Sequence, residues 1–398
     1  MASVIQQIGA VTRMNLATVP ARLGTSLVIV VGIAGVVGVM VALLAMAAGF
    51  KQTLASTGRA DRALVLRAGS LDELGSILGV EQARLVMEAP GIRRDQGGNP
   101  LAVGEKYVLT DVVKRGTGSP ANVVVRGTLP EVTRIRPEFR IVEGRMFRTG
   151  LREVVVGRGA HDQFSGVNIG DGVDVRDGPW TVVGTFTTGG DVHESELWVD
   201  DSALRDAMRS AYFSTVVLQL EDATPATLQK LKDHLTQDPR LAVSVQREPD
   251  YYASRSQALN GFITGLGYAV AVIMGIGALF GALNTMYAAV SSRTVEIATL
   301  RAIGFGGLPV VVSVLVESMI LALVGGVVGA AIAYLVFNGY SVATMNFQTF
   351  SQVAFDFKVT PALLQQALVW SCLLGALGGL FPAIRAARLP IVDALRAQ

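Results

Sequence analysis

Few residues of this chain have side chains whose type and spacing could support catalysis. Its three histidines, His161, His193 and His234, are scattered and do not suggest a metal site. The run His193-Glu194-Ser195-Glu196 lacks the H-E-x-x-H spacing that places two zinc ligands on one helix face. We interpret this run as a solvated turn. The sequence also lacks the G-x-S-x-G motif of a nucleophilic serine, so neither catalytic residues nor a metal site are predicted.

Nucleotide chemistry is also unsupported by the sequence. The P-loop pattern G-x-x-x-x-G-K-[ST] requires a Gly-Lys step, and the chain contains no such dipeptide. We therefore expect no Walker-type ATPase site and no cofactor in this chain. The single cysteine, Cys372, excludes an internal disulfide framework. A formal net charge of only +2 gives no reason to expect a nucleic-acid partner.

The segment at residues 291–305, SSRTVEIATLRAIGF, is short, charged and flanked by apolar runs. Arg293 and Glu296 are three residues apart and can pair on one helical turn. Val295, Ala298 and the residues from 300 to 303 supply apolar surface, so a helix here could insert into a groove on a soluble partner. The alternative is a connecting turn whose arginines only set membrane topology.

The elements that flank this segment are apolar enough to cross a bilayer. The chain has 398 residues, of which 51% are hydrophobic and only 17% are charged, against about 25% in soluble domains. Four long runs exceed the roughly 20 residues that a membrane helix needs: residues 23–50, 256–292, 308–336 and 359–384. The first run is too long for a cleaved signal peptide and is interpreted as an uncleaved signal anchor. The second is longer than a span, so residues 256–265 are expected to form a stalk outside the lipid.

Charges are concentrated in one part of the sequence. Residues 51–255 hold 26 of the 34 Lys and Arg residues and 28 of the 32 Asp and Glu residues, which is about the density of a soluble domain. The short flanks of the apolar runs are mainly basic before run one, between runs two and three, and after run four. By the positive-inside rule both termini are predicted to be cytoplasmic, and residues 51–255 extracytoplasmic.

The insert alternates strand and helix patterns. Short β-branched runs punctuated by glycine fill residues 120–200, and helix patterns lie outside that block, beginning near Ser70, Glu81 and Thr224-Pro225. The fold class is therefore a four-helix transmembrane protein with a large α+β extracytoplasmic domain of two lobes inserted between helices 1 and 2. The predicted division is 1–50 cytoplasmic N-terminus and helix 1, 51–255 extracytoplasmic domain with a β-rich lobe at about 120–200, 256–292 stalk and helix 2, 293–307 short cytoplasmic segment, 308–337 helix 3, 338–358 extracytoplasmic loop, 359–384 helix 4 and 385–398 cytoplasmic tail.

Several segments of the sequence, taken together, resemble the MacB/FtsX superfamily of ABC transporter permeases. The SRTVEIATLRAIGF run is similar to the cytoplasmic loop of that family. The other segments that carry the resemblance are Met14-Asn15-Leu16 with Arg22, Glu143-Gly144-Arg145, EVVVG at 153–157, VNIGDGVDV at 167–175, WTVVGTF at 180–186, Glu317 with Gly325-Gly326 and Gly329, and PAIRAARLPIVDALR at 382–396. The order and spacing of these motifs carry the resemblance more than any one of them does.

The resemblance implies a mechanical role. Permeases of this family work as dimers, and a partner ATPase dimer, which binds ATP and magnesium, drives their helices and extracytoplasmic domains through a coupling helix. It implies an ABC ATPase subunit, a second copy of the chain or a sister permease, and a periplasmic adaptor as possible partners. The residues that would contact the ATPase are Arg293, Thr294, Glu296, Leu300, Arg301 and Phe305. The MacB branch fuses its ATPase to the permease, and this chain departs from that pattern, so a separate ATPase polypeptide is expected.

Polar and small residues inside the apolar runs allow two interpretations each. Glu317 could relay a proton or substrate, or it could be held inside the bundle by hydrogen bonds or an arginine, since a charged carboxylate in lipid is costly. Asn284 is expected to make an interhelical hydrogen bond. The pairs Gly277/Gly281 and Gly325/Gly329 have the four-residue spacing that lets membrane helices approach closely, in a permease dimer or within one bundle.

We therefore expect a permease subunit that uses ATP hydrolysis by its partner to export or extract a substrate at the outer face of the membrane. The alternative is an FtsX-like mechanotransmission scaffold that controls a cell-envelope partner, such as a cell-wall hydrolase, without transport. The size of the two-lobed insert favours the first.

Overall fold

The structure is a computed structural model that describes residues 4–176, 178–345 and 351–391. The end of the predicted tail and part of the predicted loop 338–358 lie outside the described residues. The chain forms two compact units, one of residues 1–48, 261–340 and 357–398 and one of residues 49–260 and 341–356. We call the first the membrane unit and the second the extracytoplasmic unit.

The helices of the described residues are α1 (Val4–Thr18), α2 (Leu23–Ala55), α3 (Val80–Met87), α4 (Val132–Ile135), α5 (Arg158–Gln163), α6 (Asp201–Ala207), α7 (Pro225–Gln237), α8 (Glu248–Ser291), α9 (Thr294–Ala302), α10 (Gly307–Phe337) and α11 (Pro361–Ala387). The strands are β1 (Arg62–Arg67), β2 (Leu78–Gly79), β3 (Ala102–Val113), β4 (Pro120–Thr128), β5 (Arg140–Gly144), β6 (Glu153–Gly157), β7 (Gly172–Asp174), β8 (Pro179–Thr187), β9 (Glu196–Asp200), β10 (Tyr212–Phe213), β11 (Thr215–Gln219), β12 (Val243–Arg247), β13 (Ser341–Met345) and β14 (Gln352–Asp356).

Within the part of the chain that the structure describes, the helices long and apolar enough to cross a membrane are four: α2, α8, α10 and α11. Small residues bring α10 and α11 together: a Cβ added to Gly375 would lie 3.0 Å from the carbonyl oxygen of Ser318. Because α10 and α11 touch through backbone at such positions, the two helices pack more closely than Leu-rich faces would allow. The short α9 lies between α8 and α10, where the sequence predicts a cytoplasmic helix.

Among the described residues, the extracytoplasmic unit is built on a sheet with the order β12-β1-β11-β3-β4-β9-β6-β8-β5, and a tenth strand, β7, pairs with β8 off this path. One apolar core, around Val65 and Leu231, uses residues from both ends of the insert, and another, around Val154 and Trp180, uses its middle. The presence of two cores agrees with the two predicted lobes. A single sheet nevertheless contributes to both cores, because β3 and β4 pair along their lengths.

The predicted helix near Ser70 is wrong. Residues 70–77 form turns and loop, because the Glu73 carboxylate takes part in a buried ion cluster.

The loop between α10 and α11 contributes to the extracytoplasmic unit. Its strands β13 and β14 form an antiparallel hairpin that belongs to this unit. The backbone N–H of Ala354 donates to Ser195 Oγ at 2.8 Å, and the rings of Phe50 and Phe355 meet edge to face at 5.5 Å. The loop between the last two membrane helices is therefore a docked structural element rather than a simple connection.

Candidate functional site

Helix α9 presents one face to its own bundle and the other to solvent. Ile297 and Ala298 are buried, whereas Val295, Glu296 and Thr299 are exposed. Among the other residues expected to contact an ATPase, Thr294, Leu300 and Phe305 are half-buried. Arg301 is also half-buried, and its guanidinium donates to the carbonyl oxygen of Leu389 at 2.8 Å. The surface available to a partner is therefore centred on Glu296.

Arg293 differs from the other residues of this set because it is buried, 7% exposed, at the N-cap position of α9. Its Nη1 and Nη2 donate to the two carboxylate oxygens of Glu317 at 3.3 and 3.2 Å. The predicted pairing of Arg293 with Glu296 is wrong, since Glu317 lies deeper and offers both oxygens to the guanidinium fork. Its burial also argues against a direct contact between Arg293 and a partner.

Glu317 is the centre of a polar cluster that joins separate parts of the membrane unit. Arg22 Nη2 lies 3.8 Å from Glu317 Oε1, and the Thr18 hydroxyl accepts from both Arg22 and Arg293, at 2.7 and 3.1 Å. One turn before Glu317 on α10, Ser313 bonds the Asn15 amide of α1. The structure thus places Glu317 in an internal ion pair. This arrangement corresponds to the interpretation in which an arginine holds Glu317 inside the bundle.

Helix α1 was not predicted from the sequence. The spacing of two residues does indicate a helix here: Val11 and Asn15 are four residues apart and therefore lie on one helix face, and both are buried. The hydrophobic pattern of this stretch is weak beside the long run that follows it. The helix consequently adds Asn15 and Thr18 to the cluster, and sequence reasoning missed both.

The two glycine pairs have different surroundings. A Cβ on Gly325 would lie 2.7 Å from the carbonyl oxygen of Val30, and one on Gly329 would collide with the carbonyl oxygen of Ala34. This pair therefore packs α10 against α2. In contrast, a Cβ on Gly277 or Gly281 would meet nothing within 4 Å in the part of the chain that the structure describes.

Asn284 lies further along the same helix as the open glycine pair, and it is exposed. The described residues provide no hydrogen-bond partner for its side chain within this chain, contrary to the expected interhelical bond. A polar amide on the surface of a membrane helix is costly unless it is paired. This portion of α8 is thus an exposed face among the described residues.

A second polar cluster lies inside the extracytoplasmic unit. The guanidinium of Arg126, which is fully buried, donates at 2.7 Å to each of Glu73, Glu105 and Glu196, which belong to separate segments. Burial works to raise the pKa of Glu196, but Arg126 outweighs it and holds the pKa below its usual value. Trp198 Nε1 also donates to Glu196 at 2.8 Å. One cation therefore fixes the loop at Glu73 and strands β3, β4 and β9 together.

The first turn of α8 is attached to the sheet by another ion cluster. The carboxylate of Glu248, the first residue of the helix, accepts from Arg62 and Arg136, at 2.5 Å each. Burial works to raise the pKa of Glu248, yet the two guanidinium groups lower it to about 2. Nearby, the Tyr251 hydroxyl accepts from the backbone N–H of Glu73 at 3.2 Å. The extracytoplasmic end of α8 is therefore held by charges from β1 and from the residue that follows α4.

The His193 run is buried, so its interpretation as a solvated turn is wrong. His193 is fully buried, with Nδ1 3.1 Å from Asp191 Oδ2 and Nε2 3.3 Å from the Tyr252 hydroxyl. Ser195 and Glu196 are also buried, and each has a hydrogen-bond partner described above. A short run of polar residues predicts exposure, and these partners are distant in sequence, so local pattern does not indicate the burial of His193.

Comparison with known proteins adds evidence that the geometry alone does not give. The family model of the MacB-like periplasmic core domain matches residues 23–237, and the FtsX-like permease C-terminal model matches residues 268–391. The solved periplasmic region of MacB from Actinobacillus actinomycetemcomitans is 12% identical, with a TM-score of 0.36 over 49% of this chain and 92% of that one.

Two curated relatives show how far the sequence similarity extends. The macrolide export ATP-binding/permease protein MacB of Bdellovibrio bacteriovorus is 26% identical over 96% of this chain and 60% of its own length. The uncharacterized ABC transporter permease YknZ of Bacillus subtilis is 25% identical over 51% of this chain and 49% of its own length. The chain thus spans about 60% or less of the length of these relatives. Since two family models match residues 23–237 and 268–391, the chain belongs to the MacB/FtsX superfamily of ABC transporter permeases.

Proposed function

We propose that this chain is the permease subunit of an ABC complex in the bacterial inner membrane, with both termini in the cytoplasm. A separate ATPase subunit, which binds ATP and magnesium, would drive movement of the extracytoplasmic unit. That movement would export or extract a substrate at the outer face of the membrane. The observation that carries this proposal is helix α9, a short helix between two apolar helices whose inner face is packed and whose outer face carries Glu296.

The inner contacts of α9 support a role in transmitting force. Arg293 fixes the start of the helix to Glu317 of α10, and Arg301 fixes its last turn to the backbone after α11. A push on the outer face of α9 would therefore be carried to α10 and to the segment after α11. An ordinary connecting turn does not need anchors at both ends.

The extracytoplasmic contacts supply the other half of the proposed mechanism. Glu248 holds the start of α8 to Arg62 and Arg136, and the hairpin between α10 and α11 is bonded to Ser195. Movements of α8, α10 and α11 would thus be conveyed to the sheet through fixed contacts. In this scheme the substrate interacts with the extracytoplasmic unit and does not pass between the membrane helices.

A non-transporting scaffold of the FtsX type is the second candidate, because the same contacts would transmit motion to a cell-envelope partner. The match of residues 23–237 to the MacB-like core domain favours the transporter. A second copy of the chain or a sister permease would occupy the open face of α8, and a periplasmic adaptor would be a further partner.

The test is ATP hydrolysis by the purified 398-residue chain, alone and together with the ABC ATPase that co-purifies with it from the same organism. We expect no turnover by the chain alone, and turnover by the complex in proteoliposomes that depends on both subunits. Clear hydrolysis by the chain alone would contradict the subunit assignment. Release of a cell-wall hydrolase activity without any exported substrate would favour the scaffold.

A further inference from the structure

A cleft of about 530 Å³ lies in the extracytoplasmic unit, where α4 and the loops before β1 and β3 meet the end of β11. Four of the residues that line it are arginines, Arg59, Arg93, Arg94 and Arg134, whereas the lining includes a single acid, Asp95, among the described residues. We call it the arginine cleft. Its composition is that of a site for an anionic group.

The carboxylate of Asp95 is committed to the loop that carries it. Its Oδ1 accepts from the backbone N–H groups of Gly97 and Asn99 at 2.8 and 2.9 Å. Its Oδ2 accepts from Arg134 Nη2 at 2.5 Å. Asp95 therefore shapes the loop and compensates Arg134, which follows it by 39 positions in the chain.

Two further arginines of the cleft are held by carboxylates outside its lining. Asp61 Oδ1 accepts from Arg59 Nε at 3.0 Å, and Glu88 Oε2 accepts from Arg94 Nη2 at 3.3 Å. Arg59 and Arg94 are thus compensated one to one. Their side chains are still 50% and 46% exposed, so both remain accessible from solvent.

Arg93 differs from the other three arginines. Its backbone N–H donates to the carbonyl oxygen of Gln219 at 2.8 Å, which fixes the main chain at the wall of the cleft. Its side chain is exposed, and no carboxylate of the described residues lies within ion-pair distance of it. Glu138, next to Pro137 of the cleft wall, pairs instead with the buried Arg62. The arginine cleft therefore has four guanidinium groups beside three carboxylates, with the excess charge on Arg93.

We propose that the arginine cleft binds an acidic segment of an extracytoplasmic protein partner, with one carboxylate on Arg93 and another on Arg134. Guanidinium groups bind carboxylates through paired N–H donors, and arginine clusters are a recurrent means of recognising acidic protein segments. Arg134 donates to Asp95 through Nη2 and is 51% exposed, so the rest of its guanidinium fork faces an incoming carboxylate.

The lining favours a protein segment over a small molecule. Small-molecule sites are mostly apolar and enclose their ligand. Leu101 and Pro137 are the apolar side chains of this lining, and three of the arginines are about half exposed. The proposal rests on the proposed function only for the extracytoplasmic position of the cleft. Its failure would leave the coupling role of α9 unaffected, because peptide binding is measured without ATP or an ATPase.

The experiment is fluorescence anisotropy of a labelled hexaglutamate peptide titrated with the full chain in detergent at about 0.15 M salt. Labelled hexaglutamine is the uncharged comparison, and we expect only hexaglutamate to bind. Arg93→Gln should weaken binding about fivefold, the ratio that corresponds to the roughly 1 kcal/mol of an exposed ion pair. Gln96→Glu, which keeps all four arginines but adds a negative charge to the lining, should also weaken it.

The matched control is Arg240→Gln, because Arg240 is an exposed arginine of the same unit that pairs with Asp238 outside the cleft. This variant removes the same charge as Arg93→Gln and should bind like the unmodified chain. Thermal unfolding of all three variants should match that of the unmodified chain, which separates lost binding from lost folding.

Four outcomes would overturn the proposal. Equal signals from hexaglutamate and hexaglutamine would remove the charge recognition on which it rests. Equal weakening in Arg240→Gln and Arg93→Gln would show attraction by the total charge of the unit rather than by the cleft. Complete competition by inorganic phosphate at the concentration of the peptide would assign the cleft to a small soluble anion. Displacement of the peptide by phosphatidylglycerol vesicles would assign it to a membrane surface.

Discussion

Arg293, the residue before α9, donates to both carboxylate oxygens of Glu317, ten residues into α10, at 3.3 and 3.2 Å. Both side chains are almost completely buried. An ion pair removed from water contributes little net stability, but loss of one partner leaves an uncompensated buried charge. The pair therefore fixes the position of α9 relative to α10, and it is sensitive to single substitutions.

Glu317→Gln should lower the thermal stability of the chain and weaken the coupling of ATP turnover to transport. Removal of one member of a buried ion pair costs about 3 kcal/mol in soluble proteins. Thermal unfolding in detergent and coupled ATPase assays would measure the two effects, with Glu317→Asp as the conservative variant that should retain most coupling. The double variant Arg293→Gln/Glu317→Gln should recover part of the lost stability. Normal assembly and ATP turnover with complete loss of transport would instead indicate a proton or substrate relay.

Glu296→Lys should reduce co-purification with the partner ATPase or uncouple it, because Glu296 is the charged residue on the outer face of α9. The stability of the permease itself should change by less than about 0.5 kcal/mol, as expected for an exposed side chain. The matched control is Glu81→Lys, at an exposed position of α3 in the extracytoplasmic unit. Unchanged complex formation and transport in Glu296→Lys would remove the coupling-helix assignment.

The membrane architecture could be predicted from the sequence because it depends on local properties. Runs of more than 20 apolar residues identify four spans without any knowledge of their contacts. The position of α9 between two of them follows from the same pattern. The ion-pair partner of Arg293 depends instead on how α10 packs against the α8–α9 junction. The sequence alone favours Glu296, because it is only three residues away.

Charged residues inside the extracytoplasmic unit could not be predicted for a related reason. Arg126, Glu73 and Glu196 occur in segments whose average charge is that of a soluble surface, yet all three are buried together. Their burial is possible only because each compensates the others, and that compensation depends on strand pairing across many residues. Hydropathy therefore predicts the class of the domain correctly. It places these three residues on the protein surface, whereas the structure buries them.

The two glycine pairs provide a matched comparison of packing. Gly329→Val should destabilise the chain by several kcal/mol or prevent its assembly, because the new Cβ would collide with the backbone of Ala34. Gly277→Val should leave the stability of the monomer unchanged, since the space beside it is open. Thermal unfolding measures the first effect, and cross-linking of dimers measures any effect of the second on a partner chain. Equal loss of monomer stability in both variants would contradict the assigned packing.

Ser195→Ala tests the docking of the β13–β14 hairpin. The substitution leaves the backbone N–H of Ala354 without its acceptor at a half-buried position, which costs roughly 1 kcal/mol. We expect faster limited proteolysis within residues 341–356 and lower coupling of ATP turnover to transport, with the sheet intact. Ser119→Ala, in an exposed turn, is the control. Unaltered proteolysis and coupling would show that the hairpin does not depend on this bond.

The low pKa of Glu248 predicts acid sensitivity at the start of α8. Arg136 and Arg62 lower this pKa to about 2, against 4.5 for an unperturbed glutamate, so the folded chain keeps the carboxylate ionised where the unfolded chain binds a proton. The resulting stability, on the order of 3 kcal/mol, is complete above pH 4.5 and is lost as the pH falls towards 2. Unfolding of the full chain followed between pH 7 and pH 3 should show this decline. Glu248→Gln should be less stable at pH 7 and show a shallower decline, whereas equal pH dependence in both chains would assign the acid sensitivity to other carboxylates.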